Sequence, residues 1–484
     1  MPIWIYNTLT RRKEEFVPRE PGKVSMYVCG VTPYAPAHVG HGRHAVVFDV
    51  VRRWLMHRGY EVTYVMNVTD VEDKIIAAAK REQRSWREIA DRYTAAYWEE
   101  MAELAVLPPT IAPRASEHID DIIALVCSLI DSGHAYVIDG DVAFHVPSFP
   151  QYGRLSRRDL DAQIVGARVE EDRRKRDPRD FFLWKRSKPG EPSWDSPWGP
   201  GRPGWHIECS AMSTRYLGQG FDIHGGGSDL IFPHHENEIA QSEAATGRPF
   251  ARYWMHNGML QLPPAEGEGE GEKMSKSLGN VVGLRELLDR HGGPALRYFY
   301  IAAHYRSDIP LSDQALGQAA AALERLRIGL QTIDRLLASQ TKSSGTDLDD
   351  LEEARRGAQA EFGEAMDDDF GTPRALAALH GLVGAINRIG AAASASFAVS
   401  EQGRQRLQMA RETLTGLCGV LGLTLEQRPV ERGLATELVQ VLIEVRDRAR
   451  RAGHYDLADH IRDRLSALGI MLEDRAEGTT WRRR

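Results

Sequence analysis

Two short β-prone runs on either side of an apolar helix constrain the fold of the first part of the chain. The first run extends from Val24 to Cys29 and the second from Glu61 to Asp70. Between them, Ala45 to Leu55 is rich in apolar residues and is followed by Gly59, which predicts a mostly buried helix. A strand, a glycine-containing turn, a helix and a parallel strand form the βαβ unit of dinucleotide-binding folds.

Two histidines stand just before this helix, in the run His38-Val39-Gly40-His41. A helix N-terminus that follows a strand attracts anions, because its free amide groups and its dipole carry partial positive charge. Imidazoles placed there are suited to phosphate groups. The alternative is a helix start with two solvated histidines, since so short a motif also recurs by chance.

The βαβ unit is followed by a change in composition. Helices are predicted over 86–106 and 116–132. Residues 135–150 then turn β-like, and 151–203 are rich in charge, proline and tryptophan. This segment, 135–203, is predicted to be an insertion between two halves of the first domain. The second half resumes near Gly204, with strands expected over 221–224 and 251–262.

A candidate metal site lies in this second half. Pro233 suits the first turn of a helix, and on that helix His234 and Glu238 are four residues apart and share a face. Together with Cys209 they offer the S, N and O donors that zinc accepts, and Cys29 is the best candidate for a fourth ligand. The alternative is that the histidine is a helix cap and each cysteine fills a core.

A second candidate for phosphate chemistry lies farther along, in Lys273-Met274-Ser275-Lys276-Ser277. Two lysines with small hydroxyl residues on a loop are suited to a polyphosphate, although a solvated loop is the alternative. The preceding tract 264–272 alternates glycine and glutamate, so it is predicted to be a flexible tether for the lysine loop.

From Leu284 onward the chain is predicted to be almost wholly helical. The periodicity indicates a helix bundle and then a small C-terminal module, with linkers at 341–346 and 424–431. The module carries many arginines, which either bind nucleic acid or form a solvated face. The predicted helices are 313–340, 347–366, 373–391, 401–422 and 433–452, and the arginines include Arg446, Arg448, Arg450 and Arg451.

Composition excludes several classes of protein. Only four cysteines occur in 484 residues, which is too few for a disulfide framework and indicates a reducing compartment. The N-terminus lacks the pattern of a signal peptide, and no run of about 18 apolar residues predicts a membrane span. The net charge of -7 neither indicates nor excludes nucleic-acid binding, because a local basic face is enough.

The two signatures, His38 to His41 and Lys273 to Ser277, in this order on a split dinucleotide-type fold, resemble those of class I aminoacyl-tRNA synthetases. Within that class the chain resembles the cysteinyl-tRNA synthetase family in four stretches: 27–32, 204–212, 224–238 and 469–481. The resemblance covers essentially the whole chain. Val39 stands where the family usually has Ile, and the Gly/Glu tract lengthens the approach to the lysine loop.

The resemblance implies a role for individual residues. Cys29, Cys209, His234 and Glu238 would hold one Zn²⁺ ion. Catalysis would rest on His38, His41, Lys273 and Lys276. ATP, with Mg²⁺, would be bound by His38, Gly40, His41, Gly226, Asp229 and Lys276. The cysteine pocket would consist of Gly30, Thr32, Thr69, Trp205 and His224.

The resemblance also implies the activity and the domain plan. The expected enzyme is a cytoplasmic, monomeric cysteine–tRNA ligase of protein biosynthesis, with ATP, L-cysteine and tRNA(Cys) as partners and no membrane. The expected fold class is α/β, with a split Rossmann-type catalytic domain that contains an inserted connective segment, followed by an all-α helical bundle and a small C-terminal anticodon-binding module. The expected segments are 1–134 and 204–250 for the two catalytic halves, 135–203 for the connective insertion, 251–312 for the stem-contact region with the lysine loop, 313–423 for the helical bundle and 424–484 for the anticodon-binding module.

Two rival functions share parts of this pattern. A ligase that joins cysteinyl-adenylate to an amino sugar would have the zinc site and both signatures, but it would lack the C-terminal module present here in residues 433–484. A non-catalytic RNA-binding relative should have lost His38, His41 or Lys276, and all three are present.

Overall fold

The computed structural model describes residues 2–158, 172–262, 272–273, 282–393, 397–425, 434–475 and 478–483. The chain divides into two compact units, Met1–Leu425 and Glu426–Arg484. Their boundary lies within the linker predicted at 424–431. The finer domain boundaries stay predictions.

A four-stranded parallel sheet forms the centre of the first unit, as the βαβ pattern predicts. A hairpin of β1 (Trp4–Asn7) and β2 (Arg12–Glu15) precedes it. The sheet has the order β10-β9-β3-β4, and Met26, Tyr27 and Val28 of β3 are fully buried. Residues of this kind suit a central strand that is covered on both faces. The strands are β3 (Lys23–Val31), β4 (Glu61–Val68), β9 (Phe221–Gly227) and β10 (Ala251–Asn257).

Helix α1 (Val39–His57) crosses from β3 to β4 and is longer than predicted. It begins at Val39 and not near Ala45, so His41 lies in its first turn. His38 is the N-cap residue, and its backbone amide donates to His41 Nδ1 at 3.1 Å. The two signature histidines therefore form the end of the helix that faces the carboxyl edge of β3.

The predicted insertion contains a second sheet. After α2 (Asp73–Glu82), α3 (Trp86–Glu103) and α4 (Ile119–Asp131), four antiparallel strands follow in the order β5-β6-β7-β8. Phe144, Leu183 and Trp184 fill the core between this sheet and the helices around it. The strands are β5 (Ala135–Ile138), β6 (Asp141–Phe144), β7 (Phe181–Arg186) and β8 (Gly201–Pro203). The chain then returns to the first sheet through α5 (Trp205–Leu217).

The single strand predicted over 251–262 is wrong, because the chain leaves the first sheet at Gly258. A Cβ at Gly258 would lie 2.5 Å from the Ser307 carbonyl oxygen, so only glycine fits beside that backbone. A small mixed sheet follows, with the order β12-β11-β13. Its strands are β11 (Leu260–Leu262), β12 (Glu272–Lys273) and β13 (Ile309–Pro310), and α7 (Leu284–His291) and α8 (Gly293–Ile301) lie between the last two. Apart from Glu272, the Gly/Glu tract predicted to be a tether lies outside the described residues.

A helical bundle completes the first unit and confirms the helical periodicity. It consists of α9 (Asp313–Leu337), α10 (Asp349–Asp367), α11 (Thr372–Ala392) and α12 (Glu401–Val420). The linker predicted at 341–346 is instead part of β14 (Gln340–Thr346), which pairs with β15 (Ala398–Val399). Among the described residues one helix, α11, is long and apolar enough to cross a membrane by length and composition alone. It packs against α9 and α10, with Leu379, Leu382 and Ile386 in the core.

The second unit contains a hairpin in addition to helices, in a region predicted to be almost wholly helical. Helices α13 (Leu434–Arg451) and α14 (Tyr455–Ala467) are followed by a hairpin of β16 (Ile470–Arg475) and β17 (Gly478–Arg483). Arg446, expected in a solvated or nucleic-acid-binding face, is 4% exposed and pairs with Asp474 at 2.7 Å. Arg450 pairs with the same carboxylate at 2.8 Å. Arg446 therefore holds α13 against the hairpin.

Candidate metal centre and nucleotide pocket

Two of the predicted metal ligands lie at the start of helix α6 (Glu236–Thr246): His234 in the turn before it and Glu238 within its first turn. Pro233 lies in the first helical turn, as predicted: Phe232 is extended, residues 231–235 form a wider π-helical turn, and α6 continues it from Glu236. His234 still reaches Glu238, with 3.0 Å between Nε2 and Oε1. Gly247 ends α6 in the left-handed conformation (φ 67°).

All four predicted metal ligands meet in one buried cluster. Cys29 comes from β3, Cys209 from α5, and His234 and Glu238 from the α6 region; their S, N and O atoms lie within 4.8 Å of one another. The two sulfur atoms are 3.8 Å apart, and Cys29 Sγ is 3.5 Å from Glu238 Oε1. Two sulfurs, one imidazole nitrogen and one carboxylate oxygen fit a tetrahedral zinc ion in number and chemistry.

A second, overlapping set of donors shares Cys29 and Glu238. His224 Nε2 lies 2.7 Å from Glu238 Oε2, and His235 Nε2 lies 3.3 Å from Cys29 Sγ. The other nitrogen of His235 lies 2.8 Å from Nε2 of His256. The sequence reasoning missed His235 and His256. The adjacent pair His234-His235 was the available signal, because neighbouring side chains on a wide turn can face the same centre from two sides.

The electrostatics of the cluster favour a cation. Burial would raise the pKa of Glu238, but His224 and His234 lower it to about 2. Burial would lower the pKa of His234, but Glu238 and Cys209 raise it to about 10. The hydrogen bond from Cys29 lowers the pKa of Cys209, while burial raises that of Cys29. The protein therefore holds buried negative charge that a divalent ion would balance.

A cavity of about 570 Å³ opens above the cluster. Trp205 lines it and stacks on the ring of His234 at 4.4 Å, so the cavity and the cluster are adjacent. The predicted site residues that line this cavity are Cys29, Gly30, Thr32, His38, Gly40, His41, Trp205 and Asp229. Residues that line it and were not predicted include Tyr34, Arg43, His44, Lys74, Asn257 and Met259.

Three predicted site residues are buried and do not line the cavity. Thr69 is buried and accepts a hydrogen bond from Asn67 at 3.2 Å. His224 is buried between Glu238 and the ring of Trp254, on which it stacks at 4.5 Å. A Cβ at Gly226 would lie 2.5 Å from the His235 ring, so this glycine gives His235 room.

Both signature histidines line the cavity. Their rings stack with centroids 3.7 Å apart, and a Cβ at Gly40 would lie 3.0 Å from the His38 ring. Both rings lie at the N-terminus of α1, where an anion is favoured. Lys273 belongs to β12, which pairs with β11, whereas Lys276 lies outside the described residues. The structure therefore brings His38 and His41 together and leaves the lysine predictions untested.

Comparisons with known proteins identify the family of the chain. A family model for the tRNA synthetases class I (C) catalytic domain matches residues 15–321, and a DALR domain model matches 361–426. A model for the cysteinyl-tRNA ligase anticodon binding domain matches 434–482. A cysteine–tRNA ligase of Geobacter sulfurreducens is 50% identical, with 100% of both chains covered. The chain belongs to the cysteine–tRNA ligase family.

Other relatives agree with this family. A cysteine–tRNA ligase of Aquifex aeolicus is 46% identical and covers 100% of the chain and 99% of its own length. A methionyl-tRNA synthetase of Mycobacterium tuberculosis has a TM-score of 0.60 at 17% identity, covering 85% of this chain and 96% of its own, which shows the fold. As a member of the cysteine–tRNA ligase family, the chain is an aminoacyl-tRNA synthetase of class I. The predicted family, enzyme class and α/β fold class are confirmed.

Proposed function

We propose that the chain activates L-cysteine with ATP, giving cysteinyl-adenylate and pyrophosphate, and then transfers cysteine to the 3′ end of tRNA(Cys). One observation carries the proposal: the buried donors of Cys29, Cys209, His234 and Glu238 lie beside a cavity that His38 and His41 also line. A thiol-selective centre and an anion-binding helix end thus face one cavity.

The donor cluster is proposed to hold Zn²⁺ and to select the substrate. A zinc ion held there would supply a soft Lewis acid that favours a thiol sulfur over a hydroxyl oxygen. Shape alone discriminates poorly between cysteine and serine, which differ by one atom. Trp205 stacks on the ring of the ligand His234 and lines the cavity. Gly30 and Thr32 line the same cavity, next to Cys29 in the chain.

The part of the cavity that His38 and His41 line is proposed to bind ATP. Attack of the cysteine carboxylate on the α-phosphate needs positioning and charge stabilisation rather than a side-chain nucleophile. His38 and His41 would donate to phosphate oxygens, Gly40 lets the backbone approach closely, and Mg²⁺ would accompany the nucleotide. Lys273 and Lys276 would stabilise the transition state, and Gly226 and Asp229 would lie near the adenosine.

The acceptor is proposed to be tRNA(Cys). The match of residues 434–482 to an anticodon-binding family supports tRNA over an amino sugar. The proposal keeps the expected domain plan: catalytic halves at 1–134 and 204–250, the insertion at 135–203, the stem-contact region at 251–312, the bundle at 313–423 and the anticodon module at 424–484. We also propose that the enzyme is monomeric and cytoplasmic.

ATP–pyrophosphate exchange with cysteine and serine, with and without tRNA, tests the proposal. We expect exchange that depends on cysteine and needs no tRNA, with serine weaker by more than about 100-fold, beyond what a shape-based pocket reaches. Cys209→Ser should lose this preference, whereas Cys127→Ser, on α4 and outside the cluster, should keep it. Equal exchange with both amino acids in the unaltered protein would refute the proposed selectivity.

A further inference from the structure

Asp369, in the bend between α10 and α11, is the centre of a buried polar contact between the bundle and the catalytic part of the chain. Its carboxylate is fully buried and accepts from the backbone amide of Tyr6 at 2.9 Å and from the Tyr305 hydroxyl at 2.7 Å. Its second oxygen accepts from Arg306 at 2.8 Å. Its carbonyl oxygen lies 3.0 Å from the imidazole of His304.

The backbone at this bend is strained. Asp369 and the following Phe370 both have positive φ angles, 62° and 54°. Side-chain-bearing residues rarely adopt this conformation, and two in succession cost free energy that neighbouring contacts must offset. In this conformation the Asp369 carboxylate faces Tyr305 and Arg306. The ring of Phe370 packs edge-on against that of Tyr305, with 6.4 Å between the ring centroids.

The turn that Asp369 holds, residues 304–308, is held from its other side by helix α1. Arg43 lies two residues after His41 and is 1% exposed. Its guanidinium donates to the carbonyl oxygens of Tyr305 at 3.2 Å and of Ser307. The turn is therefore fixed between the bundle and the helix that carries the signature histidines.

The same turn continues into the sheet that carries Lys273. Asp308 accepts from the backbone amide of Met259 at 2.6 Å and from the Gln261 side chain at 2.9 Å. β13 then pairs in parallel with β11, and Gln261 of β11 lies opposite Lys273 of β12. One short turn thus joins the strand of the first signature lysine to the helix of the two signature histidines.

We propose that Asp369 is a positioning residue for amino-acid activation. It acts through the turn 304–308 and fixes strand β12 relative to the N-terminus of α1, so that the two signatures face the same phosphate groups. Asp369 itself is fully buried and does not line the cavity. This inference rests on the proposed function, because it assigns the two signatures to one reaction.

Substitution of Asp369 should change the rate of activation without changing recognition of cysteine. We expect Asp369→Ala to lower kcat of ATP–pyrophosphate exchange by about 10- to 100-fold, the effect of misplacing reacting groups by about 1 Å. The KM for cysteine and the zinc content should stay within about twofold, because in the described part of the chain no hydrogen bond or ion pair joins the metal cluster to this path. Asp369→Asn should lose less, since Asn tolerates the left-handed conformation and keeps an acceptor.

The neighbouring Asp368 offers a matched control. It pairs on the surface with Lys13 at 2.5 Å and is 46% exposed, so Asp368→Asn should leave kcat unchanged. If Asp369→Ala does not fold, Asp369→Asn and Tyr305→Phe, which removes one of the hydrogen bonds, carry the test. Combining Asp369→Asn with Arg306→Ala should lower kcat no further than the stronger single substitution, because both break one contact.

Three results would overturn the inference. One is a lower melting temperature with unchanged kcat, which would make Asp369 purely structural. Another is a joint loss of kcat, cysteine affinity and zinc, which would indicate general loosening. The third is additive effects of Asp369→Asn and Arg306→Ala. Failure of the proposed function is distinct, because the unaltered protein would then show no cysteine-dependent exchange.

Discussion

Gly30→Ala tests how closely the first sheet fits the metal cluster. Gly30 follows Cys29 in β3, and a Cβ at this position would lie 1.7 Å from the carbonyl oxygen of Asn67 in β4. The Gly30 amide also donates to the Asn67 side chain at 2.9 Å. The added methyl group would point at the neighbouring strand, so any effect on cysteine would come through displaced backbone.

The geometry sets the size of the effect. An ordinary contact begins at 3.4 Å, so the methyl carbon and the Asn67 oxygen must separate by about 1.7 Å. Overpacking a well-packed interior costs about 1–3 kcal/mol, and we expect about 3 kcal/mol because the opposing atom is backbone within a sheet. Metal–ligand distances tolerate only about 0.2 Å, so a shift of Cys29 should also weaken zinc binding by about 10- to 100-fold.

Denaturant unfolding, zinc content after dialysis against a chelator, and KM for cysteine measure these effects. Gly357→Ala is the control: it lies inside α10, a Cβ there would meet no atom within 4 Å, and it should stabilise the protein by about 0.5–1 kcal/mol. If Gly30→Ala retained stability, zinc and cysteine affinity, the close approach of the two strands would be irrelevant to the cluster and the reasoning would fail.

Three further predictions address separate parts of the molecule. Cys209→Ser should reduce zinc retention and cysteine affinity and leave ATP binding intact. Lys276→Ala should instead lower the rate of adenylate formation; if it raised only the KM for cysteine, the proposed role of Lys276 in the transition state would be wrong. Glu100 is 6% exposed, one of its oxygens has no partner among the described residues, and burial raises its pKa to about 7. Its ionisation therefore destabilises the folded state as pH rises from about 4.5 to 7, and Glu100→Gln should raise the free energy of unfolding by about 1–2 kcal/mol at about pH 8 but not at about pH 4; equal gains at both would contradict this. A chain cut at Pro429, close to the boundary of the two units, should keep cysteine-dependent exchange and lose efficient tRNA charging at low tRNA concentration, measured as aminoacylation; unchanged charging would contradict the anticodon role.

The sequence was sufficient to predict which four side chains form the metal cluster, but not the histidines that surround them. His234 and Glu238 were found because four-residue spacing on a helix places two side chains together. The π-helical form of the turn over 231–235 was not predicted, because Pro233 suits an ordinary helix start and nothing local indicates a wider turn. His235 and His256 were missed for a similar reason: their contacts bring together parts of the chain that only the tertiary fold joins.

Short strands and buried charge were also beyond local patterns. β14 is a run of polar residues that resembles a linker, and it is a strand only because β15 lies beside it. The hairpin of β16 and β17 was not predicted either, because each strand forms only beside the other. Arg446 was predicted to lie in a solvated or nucleic-acid-binding face, since the sequence contains no sign that Asp474 lies beside it in space.

The order of strands in the first sheet has a consequence for synthesis on the ribosome. β3 pairs on one side with the nearby β4, but its other edge pairs with β9, and the contacting residues Ser25 and Asp222 are 197 positions apart. At about 5–20 residues per second, the second edge of β3 therefore waits about 10–40 s for its partner. During that time an apolar strand edge is open to other chains. Slower synthesis lengthens this interval, so yield of folded protein should depend on translation rate across the insertion and on chaperones that cover exposed strands.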